Sequence, residues 1–124
     1  MRVFKNAWFG RFARKENLSD QQLWAAVQDA ERGLVDASLG SGVIKLRIAR
    51  QGGGKSKGYR TIVMYRQGDK AFFVFGFPKN ELANIQADDV AQFKKAAKHV
   101  LGMSDEHIHL LIENGQLEEV KHDD

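Results

Sequence analysis

Lys45, Arg47, Arg50, Lys55, Lys57, Arg60, Arg66, Lys70 and Lys79 crowd into a stretch that holds one acid, Asp69, and no histidine. Side chains of this type stabilise negative charge developing on a phosphate. A lysine crowded by other cations has its pKa depressed and can then take part in proton transfer. Chemistry built on imidazoles or paired carboxylates has no residues here to carry it. The segment from Val43 to Lys79 has a net charge of +8, whereas the rest of the chain, with ten basic and fifteen acidic residues, is −5. A block this cationic destabilises a compact fold by self-repulsion unless an anion joins it. The commonest anion for such a block is a nucleic-acid backbone.

Two other chemistries do not fit these residues. Gly54-Lys55-Ser56 has the ending of a phosphate-cradling loop, but the glycine required five residues earlier is Ala49, and a strand rather than a helix follows. The four histidines (His99, His107, His109, His122) all lie beyond the basic block, and His107 and His109 point opposite ways on a helix. No convergent metal-ligand set is expected, and no cofactor.

The hydrophobic periods say which elements must position these cations. Ile44, Leu46 and Ile48 alternate with Lys45 and Arg47, which predicts a half-buried strand with a basic outer face. Gln51–Gly58, with three consecutive glycines, predicts a flexible loop offering Lys55 and Lys57 to phosphates. Tyr59–Arg66 is a second strand, placing Arg60 and Arg66 on one face with Ile62 and Met64, and Tyr59, Thr61, Val63 and Tyr65 on the other. Both tyrosines are expected to pack the sheet. Ala71–Phe77 is a third strand after a tight turn at Gln67-Gly68-Asp69. Its alternating Phe73, Phe75 and Phe77 predict a core face rather than a base-stacking platform.

Helical periods flank this meander. Val3-Phe4 predicts a short strand, and Trp8, Phe9 and Phe12 a helix face. Ser19 with Gln22 forms a capping box for a helix carrying Leu23, Ala26, Val27 and Ala30 inward, with Gly33 ending it and Trp24 beside the stripe. Asp88 and Asp89 open a helix with a Val90, Phe93, Ala97, Val100, Leu101 stripe that Gly102 closes. Ser104 caps a last helix over Asp105–Glu113. The tail from Ser104, with seven acids and one lysine, is read as a solvated final helix, although its acidity would also let it fold back on the basic face or engage another chain.

The order of helices, three antiparallel strands and helices predicts an α+β domain. At 124 residues with 43% apolar content the chain supports one domain with its own core. We expect a core over about 1–102 and a C-terminal helical extension over about 103–124. Absence of cysteine excludes disulfides and thiolate metal sites and suits a reducing cytosol. The N-terminus has no apolar signal region, and no run approaches the ~18 apolar residues of a membrane span. A cytoplasmic protein without membrane attachment is expected.

The run IKLRIARQGGGKSKGYRTIVMYRQGDKAFFVFGFPKNE resembles the RelE/ParE superfamily of type II toxins, most closely its HigB-type RelE branch, strongly from Val43 to Ile85 and loosely in the flanking helices. The resemblance implies a small antiparallel sheet flanked by helices whose basic face enters the ribosomal A site. There the toxin cuts mRNA without metal, the ribose 2′-hydroxyl attacking the adjacent phosphate. It implies catalytic roles for Lys45 and Arg47, the basic pair on the first meander strand. Arg60 of the G-Y-R motif and Lys79, just past the last strand, are implied likewise. Arg50, Lys55, Lys57 and Arg66 are expected to bind RNA. The implied partners are the ribosome, mRNA and a cognate antitoxin of helix-turn-helix type. Relatives carry an arginine after that last lysine and a tyrosine some residues later. This chain has Asn80 and then Ile85-Gln86, so no general base is assigned. A gyrase-poisoning toxin of the same fold and a non-catalytic nucleic-acid-binding module remain as alternatives.

Overall fold

A computed structural model describes residues 1–50, 58–79 and 85–122 of the chain. Its elements are β1 (Arg2–Asn6), α1 (Ala7–Glu16), α2 (Asp20–Glu31), β2 (Ala37–Gly40), β3 (Val43–Ile48), β4 (Tyr59–Arg66), β5 (Lys70–Pro78), α3 (Ala87–Leu101), α4 (Asp105–Glu113) and β6 (Leu117–Glu119).

Local chemistry sets the boundaries. Asn6 ends β1 and caps α1, its side chain accepting from the Phe9 N–H at 2.8 Å while donating to the Val74 carbonyl at 3.2 Å. One residue thus stops a strand, starts a helix and ties both to β5. Ser19 and Gln22 form the expected capping box, and Gly33 follows α2 with φ +87°. Ser104 caps α4 through the His107 N–H.

The six strands lie in the order β2-β3-β4-β5-β1-β6. β3, β4 and β5 form the antiparallel meander read from the sequence. The N-terminal strand lies inside the sheet between β5 and β6, running parallel to β5 with Val3 beside Ala71 and Phe4 beside Phe72. β6 closes the far side of β1 and β2 extends the sheet beyond β3, both antiparallel. Neither was expected, since three or four residues give too few alternations for a period of two to register.

Helices cover both faces. Against α1 and α2 the sheet presents Val3, Leu46, Val63 and Phe73, packed with Phe9, Leu23 and Val27. Against α3 and α4 it presents Phe4, Val43, Ile62, Met64 and Phe72, packed with Ala97, Leu101 and Ile108. An extra residue in β5 breaks its alternation: Val63 pairs with Phe73 but Ile62 pairs with Phe75. Phe73 therefore faces α1 while Phe75 and Phe77 face the other way. The single phenylalanine face expected from the sequence is corrected to two.

One loop glycine has a steric reason to be there. A Cβ on Gly58 would lie 1.9 Å from the Ile48 carbonyl oxygen and 2.8 Å from the Arg50 nitrogen. Backbone-to-backbone closeness, rather than approach to a ligand, demands glycine at this end of the loop.

The acidic C-terminal segment lies against the basic residues of β1 and its neighbours. Glu119 pairs with Arg2, Glu118 with Lys5 and Arg14, and Asp105 with Arg2 and Lys70. Leu117 and Val120 join the two cores.

Candidate nucleic-acid interface

Strand register gathers part of the basic block and disperses the rest. Directly opposite residues on adjacent antiparallel strands share a face. One row across β3, β4 and β5 reads Val43, Met64, Phe72 and sits beneath α3. The next reads Lys45, Ile62, Phe75, and the one after it Arg47, Arg60, Phe77. Lys79 is exposed one position past β5, its N–H donating to the Gly58 carbonyl at 2.9 Å. The residues that family resemblance singled out as catalytic therefore cluster on one end of the α3 face.

Arg47 and Arg60 confront each other across the strand pair, which on its own would be repulsive. Asp36, just before β2, stands with both. Its Oδ1 accepts from Arg47 Nε at 2.7 Å and its Oδ2 lies 3.7 Å from Arg60 Nε. The Asp36 side chain is 15% exposed, Arg60 12% and Arg47 46%. Sequence reasoning missed Asp36 because it lies outside the basic block, in a stretch with no periodicity.

Aromatic residues border the same rows. Trp8, 37% exposed, stacks on Phe75 at 4.6 Å and on Phe12 at 5.3 Å, and Phe75 lies 6.2 Å from Phe93. Trp8 reaches β5 because β1 ends at Asn6 while β5 runs on to Pro78.

Two of the expected RNA-binding residues lie elsewhere. Arg50 projects on the α1 side, with its guanidinium 5.5 Å from the ring centre of Tyr59. Arg66 shares the face of Arg60 but lies six residues along β4, about 20 Å away at strand spacing, and pairs with Asp69 at 3.6 Å. Lys55 and Lys57 lie outside the described residues.

Neither tyrosine serves the cationic face. Both pack with the α1–α2 core, as the alternation predicted. Tyr59 donates its hydroxyl to Glu16 at 3.1 Å. Tyr65 donates to Glu31, and burial together with that bond holds its pKa well above the ordinary phenol value. Of the histidines, His122 stacks on Trp24, His109 pairs with Glu113, and His99 lies beside His107. Among the described residues no group of three or more His, Asp or Glu could hold a metal ion, and no helix is long and apolar enough to cross a membrane.

The arrangement is suited to hold a phosphodiester between Arg47 and Arg60 with Lys45 alongside, and to compensate charge that grows on it. A family model described as the RelE toxin of the RelE / RelB toxin-antitoxin system matches residues 1–120. No match was found among curated proteins or solved structures.

Proposed function

Because the chain belongs to the RelE toxin family of toxin–antitoxin systems, we propose that it is a metal-independent, ribosome-dependent mRNA endoribonuclease of the HigB-type branch. In this reading residues 1–124 act as one toxin domain, in the cytoplasm, and a helix-turn-helix antitoxin neutralises it. The observation that carries the reading is the row geometry: Arg47 directly opposite Arg60, Lys45 one row away and Lys79 past the end of β5.

The chemistry follows from those groups. A ribose 2′-oxygen attacks the adjacent phosphorus, the bond to the next nucleotide's 5′-oxygen breaks, and a cyclic phosphate and a 5′-hydroxyl remain. Negative charge grows on the non-bridging oxygens during attack, where paired guanidinium groups stabilise it most. Lys45 or Lys79 supplies the leaving oxygen with a proton. The acceptor for the 2′-hydroxyl proton is left to the ribosome–message complex, since Tyr59 and Tyr65 face the other side of the sheet.

Induced expression followed by primer extension on mRNA tests the proposal. New 5′ ends are expected within translated codons and not in untranslated transcripts. Growth arrest with unchanged transcripts would overturn it, and inhibition of DNA gyrase supercoiling by the purified protein would replace it with the gyrase reading.

A further inference from the structure

The site contains a carboxylate that none of the cation chemistry requires. Asp36 places one oxygen on Nε of Arg47 and the other toward Nε of Arg60, while its own backbone N–H donates to the Lys45 carbonyl at 3.0 Å. That last bond locks Asp36 to β3, the strand that carries Arg47. The carboxylate is therefore a fixed bracket rather than a swinging surface acid.

We propose that Asp36 is the positioning residue of the site, clamping Arg47 and Arg60 by their Nε edges so that one RNA phosphate is met by both. Three physical points support this. Arginine has a long side chain with many rotamers, and ordering it during binding is costly unless the order exists beforehand. Two like charges directly across a strand pair drive each other apart, so without a shared anion the guanidinium groups would splay. Held through Nε by Asp36, Arg47 keeps its terminal N–H groups as donors for a second anion. Asp36 itself does not act on the reacting atoms, because its two oxygens are directed at the arginines.

This inference rests on the proposed function, and the test separates the two. Single-turnover cleavage of mRNA on programmed ribosomes would be measured for Asp36→Ala, Asp36→Asn and Arg47→Ala, together with thermal unfolding. Misplacing a charge-stabilising group by about 1 Å costs on the order of 100-fold. Asp36→Ala is expected to lower the saturated cleavage rate by about that factor, with a smaller change in half-saturating ribosome concentration. Asp36→Asn keeps one acceptor oxygen and is expected to recover about tenfold of the loss. The pH–rate profile of Asp36→Asn should keep its shape.

Wild-type rates in a folded Asp36→Ala, with Arg47→Ala inactive, would overturn the positioning role and leave the site intact. Loss of the ascending limb of the pH profile in Asp36→Asn would overturn it in favour of a proton-accepting carboxylate. A fully active Arg47→Ala would instead remove the proposed function. Should Asp36→Ala fail to fold, Asp36→Asn carries the test alone: a rate equal to wild type overturns the proposal.

Discussion

Nine basic side chains look interchangeable in composition, yet those among the described residues take different places. Arg47 and Arg60 form a cross-strand pair beside Lys45, whereas Arg66 pairs with Asp69 at the far end of β4. For the proposed reaction this divides the residues into those whose loss is expected to stop cleavage and those whose loss is not. Lys45→Ala, Arg47→Ala and Arg60→Ala should each reduce cleavage on ribosomes by about 10²–10³-fold, the usual effect of removing one transition-state donor. Arg66→Ala should stay within about twofold, since a screened surface pair contributes little. A gel assay of a ribosome-bound message reads both outcomes, and full activity in the triple variant would refute the site. Arg47→Ala should change unfolding free energy by no more than about 1 kcal/mol, because its side chain is half exposed.

The elements make the site by register rather than by shape. β3 and β4 must pair so that Arg47 meets Arg60, and a one-residue slip would send every cation to the opposite face. The close of their connection is Gly58, where any Cβ would overlap the Ile48 carbonyl. Gly58→Ala should therefore cost on the order of 3 kcal/mol through forced backbone displacement, and cleavage should fall with it. Urea unfolding checks the first and the ribosome assay the second; a variant of unchanged stability would show that the hairpin has another way to close. The extra residue in β5 works in the same register logic, turning Phe75 and Phe77 onto the face of the cations. Alternation in the sequence cannot reveal a bulge that the pairing partner imposes.

Charge is partitioned across the whole molecule. The acids of the C-terminal segment pair with Arg2, Lys5, Arg14 and Lys70 around β1, whereas Asp36 pairs with Arg47 and Arg60 on β3 and β4. That partition predicts how acid affects stability. The hydrogen bond from Arg2 holds the Glu119 carboxyl below its ordinary value of 4.5. Burial pushes the Asp20 carboxyl up, but bonds from the Lys5 ammonium and the Lys121 N–H outweigh it and leave Asp20 lowered from 3.8. Groups with lowered native values stabilise the fold above their unfolded pKa and lose that contribution as pH falls through the native one. Wild type should therefore melt higher than Glu119→Gln at neutral pH, with the gap closing below about pH 4.5. A melting series from neutral to acid pH measures it, and a gap that stays constant would show that the Arg2–Glu119 pair does not stabilise the fold.

What the sequence determined by itself was the local part. The helix caps at Ser19 and Ser104, the alternation of Val43–Ile48 and the outward side of Lys45 and Arg47 follow from hydrogen-bonding chemistry and period within one segment. The tertiary structure decided everything that needs two distant segments at once. It set the parallel insertion of β1 beside β5, the closure by β6, the meeting of Arg47 with Arg60, and the carboxylate of Asp36 on both. The physical reason is that a side chain's face is fixed by its neighbours in the chain, whereas its partner is fixed by strand pairing over long sequence separations, of which a local pattern carries no trace.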